Sequence, residues 1–281
     1  MNKPKVSVLT PVYNTRPDHL REMVESVLSQ TFGDFEFILL NDSPDNAELE
    51  RQILSFRDPR IRYEKNDVNI GISASRNRLL SLARGEYVAI LDHDDVCEPD
   101  RFEKEVRYLD AHPEVGVVSG RAVYFPNGGP ALRLPQENDV IKTTLLERCC
   151  VLHTAAMLRK SVLDENAIRY EAAYSPSEDY MLWIRLMGVT LFHNLPDVLV
   201  RYRWDGTNTT NRQLGRMRDK TVQIKNVAWR DYPFSALPLV QSGWLKLFTF
   251  LPVVKVVATP RKRTFYLFGV LPILQWRRQK W

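Results

Sequence analysis

The strongest constraint on how this chain can fold is the alternation of short β-rich runs with helix-period segments over its first 120 residues. Val6–Thr10 (VSVLT) reads as a strand closed by Pro11. Leu20, Met23, Val24, Val27 and Leu28 then recur at helical spacing, after start signals at Thr15 and Pro17 and before a stop at Gly33. Phe35–Leu40 is a second strand, and Asn41-Asp42-Ser43-Pro44 turns away from it; a helix over Ala47–Phe56 and a strand over Ile61–Glu64 follow. The pattern continues with a helix over Ser73–Ala83, a strand over Glu86–Leu91, a helix from Pro99 to about His112, and a strand over Val115–Ser119. Strands separated by helices of this length predict βαβ units, hence an α/β fold that is Rossmann-like with a mostly parallel central sheet. Open sheets of this kind bind ligands beyond the carboxyl ends of their strands, which brings Pro11–Asn14, Asn41–Asp42 and Asp92–Asp95 to one rim.

The second half is less regular. Residues 126–139 (PNGGPALRLPQEND) read as a loop, His153–Arg159 as a strand, Ser177–Met187 as a helix, and Leu191–Asn194 and Val198–Arg203 as two further strands. From Tyr232 onward the composition changes. There is no acid, while Lys246, Lys255, Arg261, Lys262, Arg263, Arg277, Arg278 and Lys280 are basic. These eight leave 31 basic against 34 acidic residues before Tyr232, so the net charge of +5 divides into about −3 for the body and +8 for the tail. The tail's aromatic-rich pieces, WLKLFTFLPVVKVVA and FYLFGVLPILQW, are bracketed by RKR and RRQK.

Basic residues around apolar aromatic segments suit an anionic membrane surface. The alternative is that these segments pack as ordinary amphipathic core. Pro238, Pro252, Pro260 and Pro272 interrupt any long helix, and no apolar run approaches the roughly 18–20 residues of a membrane span. The N-terminus passes directly into strand-like sequence without the apolar core of a signal peptide. Cys97, Cys149 and Cys150 are odd in number and lack metal-ligand spacing, which favours a reduced compartment. The expectation is a cytoplasmic chain. Nothing matches a nucleic-acid recognition module.

The stretch EYVAILDHDD (Glu86–Asp95) ends a short apolar run in Asp92, Asp94 and Asp95. One reading is a solvated turn in which Asp95 starts the next helix. The other is a site for a hard cation, since Mg²⁺ and Mn²⁺ take oxygen ligands and Mg²⁺ often needs only one or two carboxylates beside substrate phosphates. Glu178 and Asp179 follow Ser177, a good N-cap, and acids in a first helical turn are also explained by the helix dipole alone.

Six pieces resemble glycosyltransferase family 2, in that family's order and spacing over roughly residues 4–215. They are SVLTPVYN (Ser7–Asn14), ILLNDSPD (Ile38–Asp45), NIGISASRN (Asn69–Asn77), GEYVAILDHDD (Gly85–Asp95), SEDYMLWIRL (Ser177–Leu186) and VRYRWDGTNTT (Val200–Thr210). The resemblance implies the A-type glycosyltransferase fold, a nucleotide-sugar donor, a divalent cation (Mg²⁺ or Mn²⁺) and inversion at the anomeric carbon. It divides the chain into a catalytic domain, 1–231, and a basic amphipathic extension, 232–281. Within the catalytic domain the nucleotide-binding part is about 1–120 and the acceptor part about 121–231.

Residue by residue, the resemblance implies that Pro11, Tyr13 and Asn14 lie beside the nucleoside base and that Asp42 accepts the uracil ring N–H. Many relatives have two acids where this chain has Asn41-Asp42. Arg76 corresponds to a donor-side arginine, Asp94 to the metal ligand, and Asp92 to a neighbour on the ribose or metal. Asp179 matches the catalytic base and Glu178 a supporting acid. His153 stands on the acceptor side or is a satisfied structural histidine. Many relatives place a metal-side histidine after Tyr-Arg; here Trp204-Asp205 stands instead, with Asp205 as an oxygen ligand in its place, and Gly206–Gln213 reads as a lid.

The resulting expectation is an inverting hexosyl- or N-acetylhexosaminyl-transferase. It uses a UDP-sugar to extend a surface glycan, of lipopolysaccharide or capsule type, on a lipid-linked acceptor at the cytoplasmic face of the inner membrane. A non-catalytic sugar-nucleotide-binding or assembly protein is the rival from another class. A sugar nucleotidyltransferase fits less well, because PVYNTRPDHL lacks the Gly-rich, basic loop such enzymes usually carry after their first strand.

Overall fold

The structure is a computed structural model of the 281-residue chain. It describes residues 3–206 and 213–232, and the backbone of four strands between 243 and 277. The chain divides into two compact units, Met1–Tyr232 and Pro233–Trp281.

In the first unit β1 (Val6–Val12), β2 (Phe35–Asn41), β3 (Ile61–Lys65) and β4 (Tyr87–Ile90) alternate with α1 (Pro17–Leu28), α2 (Ala47–Ser55) and α3 (Ile72–Leu82). There follow β5 (Val96–Cys97), α4 (Arg101–Ala111), β6 (Val115–Phe125), α5 (Asn138–Leu145), β7 (Met157–Arg159), α6 (Lys160–Glu165), α7 (Glu178–Leu186), β8 (Leu191–Arg203) and α8 (Leu214–Asp231). The eight strands form one sheet in the order β3-β2-β1-β4-β7-β6-β8-β5. β3, β2, β1 and β4 are mutually parallel, as are β6 and β8, while β7 runs antiparallel between β4 and β6 and β5 antiparallel on β8. This is an α/β fold with a mostly parallel sheet.

β1 and β2 are buried along their whole length, which explains why they read as continuous apolar runs rather than alternating ones. Leu20, Met23, Val24 and Val27 of α1 are fully buried in the same core, and the Phe35 and Phe102 rings meet edge-on at 5.7 Å. Each fully buried Leu or Val contributes about 1.5–3 kcal/mol of apolar burial.

Four local expectations need correction. β1 does not stop at Pro11 but continues to Val12, with Pro11 opposite Leu40. β4 pairs with β1 only as far as Leu9–Ile90, so the position where Pro11 lacks an N–H faces no ladder partner. Leu191–Arg203 is one strand rather than two; its pairing with β6 slips between Ser119–Asn194 and Arg121–Val198, and the slip accommodates Pro196. His153–Arg159 is not one strand but a 3₁₀ turn, His153–Ala155, followed by β7. The buried Arg101 guanidinium donates to the Thr154 carbonyl within this turn (2.8 Å) and to the Ala156 carbonyl (3.3 Å), which also accepts the Ile90 N–H beside β4 (2.9 Å). Finally, the segment expected as a loop over 126–139 gives way to α5 at Asn138, and α8 follows the last motif.

In the second unit β9 (Gly243–Leu247), β10 (Leu251–Ala258), β11 (Lys262–Leu267) and β12 (Leu271–Arg277) form an antiparallel sheet in the order β12-β11-β10-β9. No helix among the described residues is long and apolar enough to cross a membrane.

Candidate active site

The rim at the strand ends is organised around two anchors. The first is Asp42, just beyond β2. It is buried, and its carboxylate accepts Asn66 Nδ2 (2.7 Å), the Ile70 N–H (2.9 Å) and the Gly71 N–H (3.0 Å). These bonds tie β2 to the loop that opens α3. Gly71 has φ of +82°, a left-handed conformation that costs other residues energy, and there it directs its N–H at Asp42. Asp42 also lines a cleft of about 630 Å³ together with Tyr13, Asn14, Asp45, Asp67 and Asn69. Tyr13 is half exposed and Asn14 takes φ of +44°, its N–H donating to Ser43 Oγ (2.8 Å). Pro11 is buried within β1 and does not line this cleft.

The second anchor is Arg76, on the first turns of α3. Its Nη1 donates to Glu178 Oε1 (2.6 Å) and its Nη2 to Asp92 Oδ1 (2.9 Å), so one guanidinium joins the end of β4 to the start of α7. The guanidinium lies 5.5 Å over the Tyr170 ring. Burial opposes the Arg76 charge, but Asp92 and Glu178 outweigh it and its pKa is raised. Asp92 shows the reciprocal effect: burial alone would raise its carboxyl, and the Arg76 charge and hydrogen bond hold it below the usual range.

His153 sits beside this pair, its Nε2 2.9 Å from the Tyr170 hydroxyl and its Nδ1 3.9 Å from Asp92 Oδ1. Burial first, and Arg76 second, push the imidazole down to about 3, against the pull of Asp92, so it is neutral at any physiological pH. Asp179, next to Glu178, is the opposite case. Burial and then the Glu178 charge raise its carboxyl to about 6, with Arg76 opposing. An aspartate with a pKa near 6 can accept a proton at neutral pH far better than an ordinary one. Its Oδ1 also accepts the Tyr180 N–H (2.7 Å); the Ser177 hydroxyl, expected as the cap, makes no such bond.

The remaining acids separate by role. Asp95 is buried and accepts the Arg203 N–H (2.8 Å), while the Asp94 carbonyl accepts Arg203 Nε (2.7 Å), so the turn is stitched to the end of β8. Burial, followed by Asp94 and Asp92, raises Asp95 well above the ordinary range. Burial also raises Asp94, with Asp92 adding to it and His93 and His19 opposing. Asp205 Oδ2 lies 3.7 Å from His19 Nε2, which α1 contributes from its first turn. Among the described residues, no three His, Cys, Asp or Glu side chains converge as a closed metal centre requires. Asp92 and Asp94 nonetheless offer oxygen donors whose joint negative charge is disfavoured by burial. That fits an ion held by one or two carboxylates and completed by a substrate.

Tyr13, Asn14 and Asp42 thus share one cleft, while Arg76, Asp92, Glu178 and His153 form one connected group with Asp179 beside it. Asp94 and Asp205 share the neighbourhood of His19. Sequence reasoning missed Tyr170, Thr154, Arg101, Arg203 and His19. Thr154 Oγ1 accepts the Asp92 N–H (3.1 Å), and the Arg203 guanidinium also pairs with Glu22. These contacts span tens of residues, and neither spacing nor periodicity carries a signal for them. Of the expected lid, residues 207–212 lie outside the described residues.

The sequence model of Glycosyl transferase family 2 matches residues 7–166, more than half the chain. An uncharacterized glycosyltransferase of Methanocaldococcus jannaschii is 32% identical over 210 residues, covering 72% of each chain. The amylovoran biosynthesis glycosyltransferase AmsE of Erwinia amylovora is 33% identical over 220 residues, 74% of this chain and 79% of its own. The chain belongs to glycosyltransferase family 2. The mannosyltransferase PcManGT of Pyrobaculum calidifontis, in complex with GDP-Man and Mn²⁺, superposes with a TM-score of 0.63 at 19% identity, over 83% of this chain and 68% of that one. S. aureus TarS 1–349 in complex with UDP-GlcNAc gives 0.61 at 17% identity, over 83% and 73%. At these identities the likeness is one of fold.

Proposed function

We propose that this glycosyltransferase moves a hexosyl or N-acetylhexosaminyl group from a UDP-sugar to a hydroxyl of a growing surface glycan, by direct displacement with inversion. The observation that carries the reading is the arrangement at α7: Asp179 is raised to about 6, while Arg76 ties its neighbour Glu178 to Asp92 on the donor side. Asp179 accepts the acceptor hydroxyl's proton as the sugar transfers. Glu178 holds Arg76 in place, and Arg76 meets the donor from α3, beside Asp92 at the end of β4. His153 borders the acceptor. The donor's base occupies the cleft of Tyr13, Asn14 and Asp42, with Pro11 supporting that loop from within β1.

Asp94, with Asp92, would hold a divalent cation, and Asp205 would complete its oxygen set. When bound, such an ion supplies Lewis-acid stabilisation of the leaving diphosphate. The Mn²⁺ in the PcManGT complex and the UDP-GlcNAc in the TarS complex make a metal and a uridine donor reasonable choices to try first. AmsE, named for amylovoran biosynthesis, supports a polysaccharide acceptor.

The basic extension, 232–281, places the chain peripherally on the cytoplasmic face of the inner membrane, beside a lipid-linked acceptor. Removing residues 232–281 should abolish sedimentation with phosphatidylglycerol vesicles, and undiminished sedimentation contradicts this part. The chemistry is tested by following the anomeric proton by NMR during turnover of a panel of α-linked UDP-sugars. A β-configured product is expected. An α-configured product, or no consumption of any donor with Mg²⁺ or Mn²⁺, contradicts the reading.

A further inference from the structure

Tyr170 lies in the segment between α6 and α7, and two consecutive residues of α3 grip it. The Asn77 side-chain amide pairs with the Tyr170 backbone in both directions: Tyr170 N–H donates to Asn77 Oδ1 (2.8 Å), and Asn77 Nδ2 donates to the Tyr170 carbonyl (2.9 Å). Arg76, one residue earlier, lies 5.5 Å over the ring, close enough for cation–π attraction. Tyr170, His153 and Arg76 are all buried. The Tyr170 hydroxyl meets His153 Nε2 at 2.9 Å, and the two rings stand edge to face at 5.7 Å. The opposite ring nitrogen, Nδ1, has no hydrogen-bond partner among the described residues and faces Asp92 Oδ1 at 3.9 Å.

A neutral imidazole carries one proton, and the bond made by one nitrogen decides which. A lone pair on Nδ1 facing the Asp92 carboxylate would be repelled, whereas an N–H there is attracted. That choice leaves Nε2 as an acceptor, and a tyrosine hydroxyl can donate to it. Both neighbours therefore select the same tautomer.

We propose that Tyr170 is a positioning residue for transfer: held by Asn77, it donates to His153 Nε2 and fixes the imidazole with its N–H directed at Asp92. Tyr170 thereby sets the distance between the donor-side acid and the acceptor side, and the ring beneath Arg76 keeps the guanidinium across Asp92 and Glu178. The inference rests on the site as read under Proposed function, and it assigns Asn77 the task of holding the 170 segment rather than touching a substrate.

The test uses the full chain labelled with ¹⁵N-histidine, at about pH 8, where ordinary imidazoles are neutral. Long-range ¹H–¹⁵N spectra distinguish Nδ1–H from Nε2–H forms, and among the five histidines the His153→Gln spectrum identifies the signal. His153 should be a single Nδ1–H form in the wild type. Tyr170→Phe, which keeps the ring beneath Arg76, should shift it to Nε2–H or a mixture, and Asn77→Ala should do the same from outside the ring. A wild-type Nε2–H form, or a spectrum unchanged by Tyr170→Phe, overturns the proposal. In transfer assays Tyr170→Phe should lower kcat about tenfold yet cost nothing further in a His153→Ala background, because residues acting through one another are non-additive. Additive losses contradict the coupling. Retained transfer in Asp179→Asn would instead sink the underlying site reading, and the spectra do not depend on it.

Discussion

Arg76 Nη1 and Glu178 Oε1 stand 2.6 Å apart although 102 residues separate them in the chain. With Asp92 on its other amine, Arg76 is a buried cation shared by two acids from opposite halves of the first unit. Removing one member of such a group strands the rest. Arg76→Ala leaves Asp92 and Glu178 as neighbouring uncompensated charges, and should destabilise the fold by about 3–5 kcal/mol. Urea denaturation checks this, and a loss below about 1 kcal/mol contradicts the network. Arg76→Lys should recover only part, since an ammonium cannot reproduce the two-armed geometry.

Asp42→Asn tests the first anchor. An amide group in place of the carboxylate must turn its own N–H groups toward at least one of the donors Asn66, Ile70 and Gly71. The expected cost is about 1–3 kcal/mol in urea denaturation, from an unsatisfied buried group. UDP affinity, measured by calorimetry, should fall with it. A variant as stable as the wild type would mean that the 66–71 loop is held by other contacts.

Asp94→Ala separates metal from fold. UDP binding in the presence of Mn²⁺ should weaken at least about tenfold, while binding with chelator present should be unchanged. UDP affinity with Mn²⁺ equal to that of the wild type removes Asp94 from the metal assignment.

The pH dependence follows from Asp179, whose carboxyl is raised to about 6 by burial and by Glu178. With Asp179 as the proposed base, transfer uses the anion, so kcat should fall as pH drops through about 6 and level off above it. The stability sign is the reverse. The folded state holds this proton more tightly than the unfolded chain, so its contribution is full below the unfolded pKa and lost as pH rises through about 6. At pH near 8 the charged Asp179 therefore costs stability, and Asp179→Asn should be more stable by on the order of 1–3 kcal/mol. A less stable variant contradicts the burial of charge at α7.

How much of this was legible in the chain depends on the range of the interaction. β1 to β4 and α1 to α4 can be read because each element carries its own period and stop signal, whereas the two-residue β5 carries none; Pro11 is tolerated within β1 because β4 ends early beside it. β8 reads as two strands, Leu191–Asn194 and Val198–Arg203, whereas a register slip against β6 carries one strand through Pro196. The 153–155 turn reads as strand from its residues, and its Thr154 carbonyl is taken by Arg101 of α4, a partner far away in the chain. In the site, Asp92, Arg76 and Glu178 can be named from motifs, but not that the Arg76 guanidinium joins the other two. Tyr170, which touches that guanidinium and His153, lies in no motif.

The most direct test of the account is a pair of measurements on Asp179→Asn: transfer to acceptor, and UDP affinity with Mn²⁺. The side chain keeps its size and its reach to the Tyr180 N–H but can no longer take a proton. Transfer should fall by about 100- to 10,000-fold, the range of a lost general base, with UDP affinity within about twofold of the wild type. Transfer that survives, or UDP binding that disappears with it, would contradict Asp179 as the base.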